Sequence, residues 1–315
     1  MLSYILKRVG YAALTVFFLM VLTFLMMQLL PGNPFLGDKA ISQVTMDALY
    51  AKYGLDKPLW EQFLIYMNNF LHGDLGLSIK YNRPVNSIIA SSFPYSAELG
   101  IRALIFAACF GVGLGIIAAI KRNTAWDSAA MTLAVIGVSI PSFIMGALLQ
   151  YLFAVRFKAW FGFGLPTMGW KDEATKVLPT LALCFGTMAT VARLTRTSML
   201  DVLGQDYIKT ARAKGLTDSA IVGRHALRNA ILPVVTILGP TAATLLTGTF
   251  VVESIFNIPG LGQFFVKSIR ENDYTMIAGT TVFYGIFLVV ATLVVDILYG
   301  FIDPRIKLTG SRRES

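Results

Sequence analysis

Residues 97–120 read AELGIRALIFAACFGVGLGIIAAI. Apart from Glu98 and Arg102 near one end, no side chain in this run carries a charge. At the helical rise it reaches about 36 Å, enough to cross roughly 30 Å of hydrocarbon. Four further runs are comparable, at 9–30, 129–155, 231–252 and 276–302. A sixth, at 177–192, reaches only about 24 Å and ends on Arg193.

Charge decides in favour of the sixth. With the first run starting in the cytoplasm, the segments left inside carry Lys7 and Arg8, Lys121 and Arg122, the cations of 193–228, and those of 305–313. In the outward loops Arg156, Lys158, Lys171 and Lys176 are offset by Asp172 and Glu173, and Lys267 and Arg270 by Glu271 and Asp273. This positive-inside asymmetry predicts an all-α integral membrane protein with six transmembrane helices and both termini in the cytoplasm. The run at 9–30 is longer than a signal-peptide core and lacks a small-x-small cleavage site, so it is read as a retained helix. The predicted division is 1–96, a first span with an extracytoplasmic segment; 97–302, a core of five spans with an inward loop at 193–230; and 303–315, a cytoplasmic tail.

Composition agrees: of 315 residues, 55% are hydrophobic and only 14% charged, which a soluble surface would rarely tolerate. The net charge of +9 does not imply nucleic-acid binding, because the cations lie in short runs between apolar stretches. No Gly-Lys-Ser or Gly-Lys-Thr phosphate cradle and no dinucleotide fingerprint occur. His72 and His225 are isolated, and no Ser, His and acid set forms a credible pocket. No catalytic residue, metal site or cofactor is therefore expected. Cys109 and Cys184 read as small core residues.

Ionisable groups inside the spans are few: Glu98 and Arg102, spaced to pair on one helical face, Glu253 just past the fifth span, and Asp296 in the sixth. An ion-coupled secondary transporter, the rival class, usually needs more. Gly111 and Gly115 form a face another helix can approach closely. Pro141 and the Gly239-Pro240 pair should kink the third and fifth spans, making Pro141, Gly239 and Pro240 candidates for the translocation path.

Two polar stretches are too long to be turns. In the outward one, 31–96, the start DKPLWE at 56–61 predicts a helix with an Asp cap and Pro in its first turn. Leu59, Phe63, Leu64, Met67, Phe70 and Leu71 give it an apolar face, and it ends near Gly73. Both a lid on its own protein and a docking surface fit. The inward stretch, 201–233, reads DVLGQDYIKTARAKGLTDSAIVGRHALRNAILP. Two short helices joined at Gly215 are expected, since Gly suits the left-handed cap between them. The result is a basic surface facing the cytoplasm or anionic lipid headgroups.

This stretch resembles the EAA loop of the membrane subunits of binding-protein-dependent ABC importers. Ala211 and Gly215 fall at the last Ala and the Gly of that motif, and Leu232-Pro233 resembles its closing Leu-Pro at a wider spacing, while Lys209 and Thr210 stand where Glu-Ala usually lead. The peptide-importer branch typically reads YIRTARAKG here, and residues 207–215 are YIKTARAKG. LKRVGYAALTVFFLMVLTFLMMQLLPGNPF, YGLDKPLWEQF, HGDLGLS, SSFPYSAELG, ARLTRTSML, ESIFNIPGLGQFFV and VDILYGFIDPRIK also look like the first membrane subunit of oligopeptide permeases, and dipeptide and nickel importers share much of this framework.

The resemblance implies a type I importer in a prokaryotic cell membrane. A second permease subunit, a sister chain, would share the pore, two cytoplasmic ATPase subunits would dock below, and an extracytoplasmic binding protein would deliver peptide from above. It also implies that Tyr207, Thr210, Ala211, Lys214 and Gly215 contact the ATPase, with Arg212, Lys214 and Arg224 available to acidic rims on that partner.

Overall fold

The computed structural model describes residues 2–29, 35, 43–247 and 249–302. Among them regular structure is helical, apart from an isolated antiparallel bridge between Leu77 and Pro84. In chain order the helices are α1 (Leu2–Leu29), α2 (Gln43–Tyr53), α3 (Leu59–Leu71), α4 (Val85–Ile120), α5 (Ala125–Ser139), α6 (Ser142–Leu149), α7 (Phe157–Phe161), α8 (Glu173–Leu203), α9 (Asp206–Ala213), α10 (Asp218–Ala220), α11 (Leu227–Ala230), α12 (Leu232–Thr247), α13 (Phe250–Phe256), α14 (Leu261–Glu271) and α15 (Tyr274–Ile302). Wider π-helical turns, Gln150–Arg156 and Ile221–Ala226, join α6 to α7 and α10 to α11.

Four helical stretches, Lys7–Leu29, Val85–Ile120, Glu173–Leu203 and Tyr274–Val295, are long and apolar enough to cross a membrane. Two bent pairs, Ala125–Ser139 with Ser142–Phe161 and Asp218–Ala230 with Leu232–Thr247, raise the number to six if each pair is one span. The tail at 303–315 and the side chain of Asp296 lie outside the described residues.

One compact unit comprises Ser96–Ile258 with the end of α15 from Val294. Its axis is α8. A Cβ built on Gly111 would lie 2.7 Å from the Met188 carbonyl oxygen, and one on Gly115 would lie 2.6 Å from that of Ala192, so α4 approaches α8 backbone to backbone. Gly137 does the same for α5, its built Cβ falling 3.0 Å from both Ala189 Cβ and the Phe185 carbonyl oxygen. Leu99, Ala103, Leu178, Ala182, Leu245 and Phe256 close the core between these helices.

The run at 129–155 breaks at Pro141, where the sequence predicts a kink. Ile140 is extended, as the residue before proline prefers, and the chain turns 110° between α5 and α6. The opposite holds at Gly239-Pro240, where α12 continues through both residues. Gly239 is a close-packing site instead: its built Cβ would meet Val295 Cγ1 at 2.3 Å. The bend on this side, 50°, falls at Ile231, just before Leu232-Pro233. The fifth apolar run also ends at Thr247, and α13 is a separate helix that buries Glu253, whose carboxylate accepts from the Thr249 hydroxyl. Cys184 is buried as expected, whereas Cys109 is exposed.

The other unit comprises Met1–Tyr95 and Pro259–Leu293. In it α3 lies on α1 through Phe24, whose ring centroid is 5.3 Å from that of Phe63 and 6.1 Å from that of Tyr66. Gln28 adds a hydrogen bond to Gln62 at 3.2 Å. Trp60, Leu64 and Leu71 remain exposed. The cap of α3 is Pro58 rather than Asp56, and Lys57 instead pairs with Glu61 at 2.7 Å, which raises the ammonium pKa.

The segment from Gly73 to Pro84 is tied to the start of α15 by Asp273, which is fully buried. Its carboxylate accepts from the Ser78 hydroxyl, from the backbone N–H groups of Ile79 and Lys80, and from that of Met276. Burial, then Glu271 and Asp273, push the Tyr81 phenol above its ordinary pKa.

Candidate functional site

The basic stretch singled out in the sequence folds as a tight hook at the end of α8. The helix stops at Gly204, Gln205 turns the chain in an extended conformation, and α9 begins at Asp206. Ile208 is fully buried and Ala211 nearly so, both against Ala119 of α4, Met199 of α8, and Ile221, Ala226 and Ala230 beyond the hook. Burying Ile208 alone contributes about 1.5–3 kcal/mol. That apolar anchor holds α9 against the ends of α4 and α8.

Gly215 then reverses the chain at φ +78°. Its N–H bonds to the Arg212 carbonyl at 2.9 Å and that of Leu216 bonds to the Ala211 carbonyl at 3.3 Å. This is the paired hydrogen-bond pattern of a Schellman cap, with Leu216 packed into the same apolar cluster as Ala211. Thr217 caps α10 by accepting from the Ala220 N–H at 3.4 Å. Asn229 of α11 donates to the Tyr207 hydroxyl at 2.8 Å, bracing the start of α9 from the far arm of the hook.

The exposed side of the hook is formed by Tyr207, Lys209, Thr210, Arg212, Lys214 and Gly215, with Arg224 and Arg228 alongside. Lys209 pairs with Asp206 at 2.8 Å and Arg212 lies 3.9 Å from Asp218. Ala211 departs from expectation. Anticipated among the contacting side chains, it is turned inward, because the period that exposes Tyr207 and Thr210 puts Ile208 and Ala211 on the buried face. The surface is therefore basic, shallow and stiffly mounted.

Among the described residues no direct contact brings the path candidates together. Pro141 is exposed at the 110° break, Pro240 is exposed along α12, and Gly239 is packed against Val295.

Three polar arrangements escaped the sequence reading. Arg196 of α8 grips Asp127 of α5 with Nε at 2.6 Å from Oδ1 and Nη2 at 2.8 Å from Oδ2. The expected Glu98–Arg102 pair exists at 2.8 Å but belongs to a larger set: Arg102 also binds Glu173 at 2.7 Å, while Lys176 and the Trp170 indole N–H reach Glu98 at 2.9 and 2.8 Å. Gln150 donates to the Thr167 and Ile255 carbonyls at 2.9 and 3.3 Å, tying the segment before α8 and the end of α13 to the π-helical turn after α6. A lone Asp among Lys121, Arg122 and Asn123 was the one available hint to the first.

A family model described as "binding-protein-dependent transport system inner membrane component" matches residues 111–308, and the model for the N-terminal part of such components matches residues 1–100. The chain belongs to this family. It is a multi-pass inner-membrane permease subunit of an ABC importer and not an enzyme; ATP hydrolysis lies with separate subunits. The permease is 47% identical to the dipeptide transport system permease protein DppB of Bacillus subtilis over 309 residues, covering 98% of this chain and 99% of the relative. It is 43% identical to the oligopeptide transport system permease protein OppB of Escherichia coli K12 over 310 residues, covering 98% and 100%. The MetNI methionine ABC transporter, in inward-facing conformations, shares the fold with a TM-score of 0.55 and 19% identity over 69% of this permease and 96% of that chain.

Proposed function

We propose that this permease carries short peptides inward, as one of two sister subunits around a shared path, driven by two ATPase subunits that dock on the hook around α9. An extracytoplasmic peptide-binding protein delivers the cargo. The observation that carries this reading is the mounting of α9. Its exposed basic face, Tyr207 to Gly215, stands on a buried anchor at Ile208 and Ala211, so a push on the face moves the ends of α4 and α8 with it.

In this reading the two bent pairs each form one span, giving six spans with both termini in the cytoplasm, which the positive-inside asymmetry supports. The functional division follows: 1–96 as first span and outward segment, 97–302 as the core with its coupling loop at 193–230, and 303–315 as a cytoplasmic tail. Arg212, Lys214 and Arg224 meet acidic rims of the ATPase, while Tyr207, Thr210 and Gly215 supply the close contact. Pro141, Gly239 and Pro240 belong to the helices that switch access to the path. Peptides are favoured as cargo by the relatives matched over almost the full chain. An ion-coupled mechanism has little to work with, since Glu98 is paired with Arg102 and Lys176, and Asp127 with Arg196.

The test is purification of the tagged permease in mild detergent with identification of its partners, comparing the natural chain with Gly215→Trp. Recovery of two ATPases and a sister permease, with the ATPases lost in the variant, supports the reading. Ion-driven uptake by a chain that recruits no ATPase would overturn it.

A further inference from the structure

Asp127 stands in the first turn of α5, and its side chain is only 7% exposed. Both carboxylate oxygens are engaged by the Arg196 guanidinium, and Oδ2 also accepts the backbone N–H of Asn123 at 3.0 Å. Asn123 is in the left-handed region at φ +61°, so one carboxylate pins both α5 and the turn that joins it to α4. A bidentate fork resists rotation as well as separation, which a single point contact does not.

Arg196 lies two turns before the end of α8, and α9 follows after Gly204-Gln205. Farther along α5, Gly137 is pressed against Phe185 and Ala189 of the same helix α8. The fork and this close approach are ten residues apart on α5, about 15 Å at the helical rise. Two fastenings that far apart leave α5 no independent rocking motion on α8. The chain then breaks by 110° at Pro141, and beyond it Gly146 of α6 packs on Phe256 of α13, its built Cβ 3.0 Å from Phe256 Cε2.

We propose that Asp127 and Arg196 are a positioning pair that makes α5 and α8 one rigid lever, delivering displacement of α9 to the break at Pro141. The inference rests on α9 being the ATPase-docking surface. The pair touches neither cargo nor nucleotide; it acts by keeping the helix that receives the push in register with the helix that ends at the break.

The test uses the complete transporter reconstituted in phospholipid vesicles, with Asp127→Asn, Arg196→Gln and Arg196→Lys. Three quantities are read: ATPase subunits retained, ATP hydrolysed, and peptide taken up per ATP. The expected result is retained ATPases and continued hydrolysis, with uptake per ATP reduced by about three- to thirtyfold in the two neutral variants. Arg196→Lys keeps the charge but not the fork, so it folds and still loses uptake per ATP. Unchanged uptake per ATP in all three variants overturns the proposal. So does loss of the ATPases in all three, which would make the pair an element of assembly alone. Gly215→Trp, measured alongside, separates the two readings: if that variant keeps its ATPases, the docking surface is wrong, whereas an unchanged ratio at Asp127 and Arg196 removes only the lever.

Discussion

Leu216 donates its backbone N–H to the carbonyl of Ala211 across the left-handed Gly215, and the same two residues share an apolar cluster on the inner side of the hook. The reversal is thus closed by backbone and side chain together. Any residue with a Cβ at position 215 opposes it.

Gly215→Ala should therefore cost about 1–2 kcal/mol at this turn, the penalty of a left-handed conformation for an L-residue. Space is not the cause, since nothing lies within 4 Å of a Cβ built there. Thermal unfolding in detergent reads the cost, and co-purification reads the accompanying drop in retained ATPases.

Gly115→Val should be far less tolerable than Gly113→Ala. At 115 the new Cβ would fall 2.6 Å from the Ala192 carbonyl oxygen and 2.5 Å from Thr195 Cβ, and backbone cannot step aside as a flexible side chain can. Overpacking of this kind costs about 1–3 kcal/mol or more. Position 113 has nothing within 4 Å, so Gly113→Ala should be neutral or stabilise α4 by up to about 1 kcal/mol. Paired melting curves check both signs.

Asp273→Asn should loosen the segment before α4. The carboxylate receives four donors, two on each oxygen, and an amide nitrogen in place of either oxygen would face donors it cannot accept from. The loss expected is about 2–4 kcal/mol, read as a lower melting temperature and as faster proteolysis between Gly73 and Pro84.

Alkaline titration should single out Tyr66. Burial on α3 pushes its phenol up to about 12, against an ordinary value near 10. Because the folded pKa is the higher, the neutral phenol's contribution to stability is fully present below the unfolded pKa and is lost as pH rises through about 12. The phenolate absorbance difference between the natural chain and Tyr66→Phe should therefore appear only near that pH; a transition near 10 would contradict the burial.

Much of the architecture was legible in the sequence because its causes are local. Apolar length marked five candidate spans and the charge pattern the sixth, and Gly215 announced the turn between two short helices. The limits of those segments were not legible. Val85, Ile88 and Ile89 are buried, and Ser87 and Ser91 return their hydroxyls to the Pro84 and Ile88 carbonyls, so α4 starts twelve residues before the apolar run does. In α8 the run stopped at Arg193, yet the helix continues to Leu203, and Arg196 within that extension is neutralised by Asp127.

What the sequence by itself determined is therefore the solvent of this protein, a bilayer, and the position of the loop that carries the family resemblance, since hydropathy and a nine-residue motif are properties of contiguous chain. Only the tertiary structure decided that Ala211 faces inward, that Gly239 is a packing contact rather than a hinge, and that Arg196 finds its acid 69 residues away. Each of those depends on which helix lies against which, and that choice is made by close approach between elements rather than by anything the neighbouring residues carry.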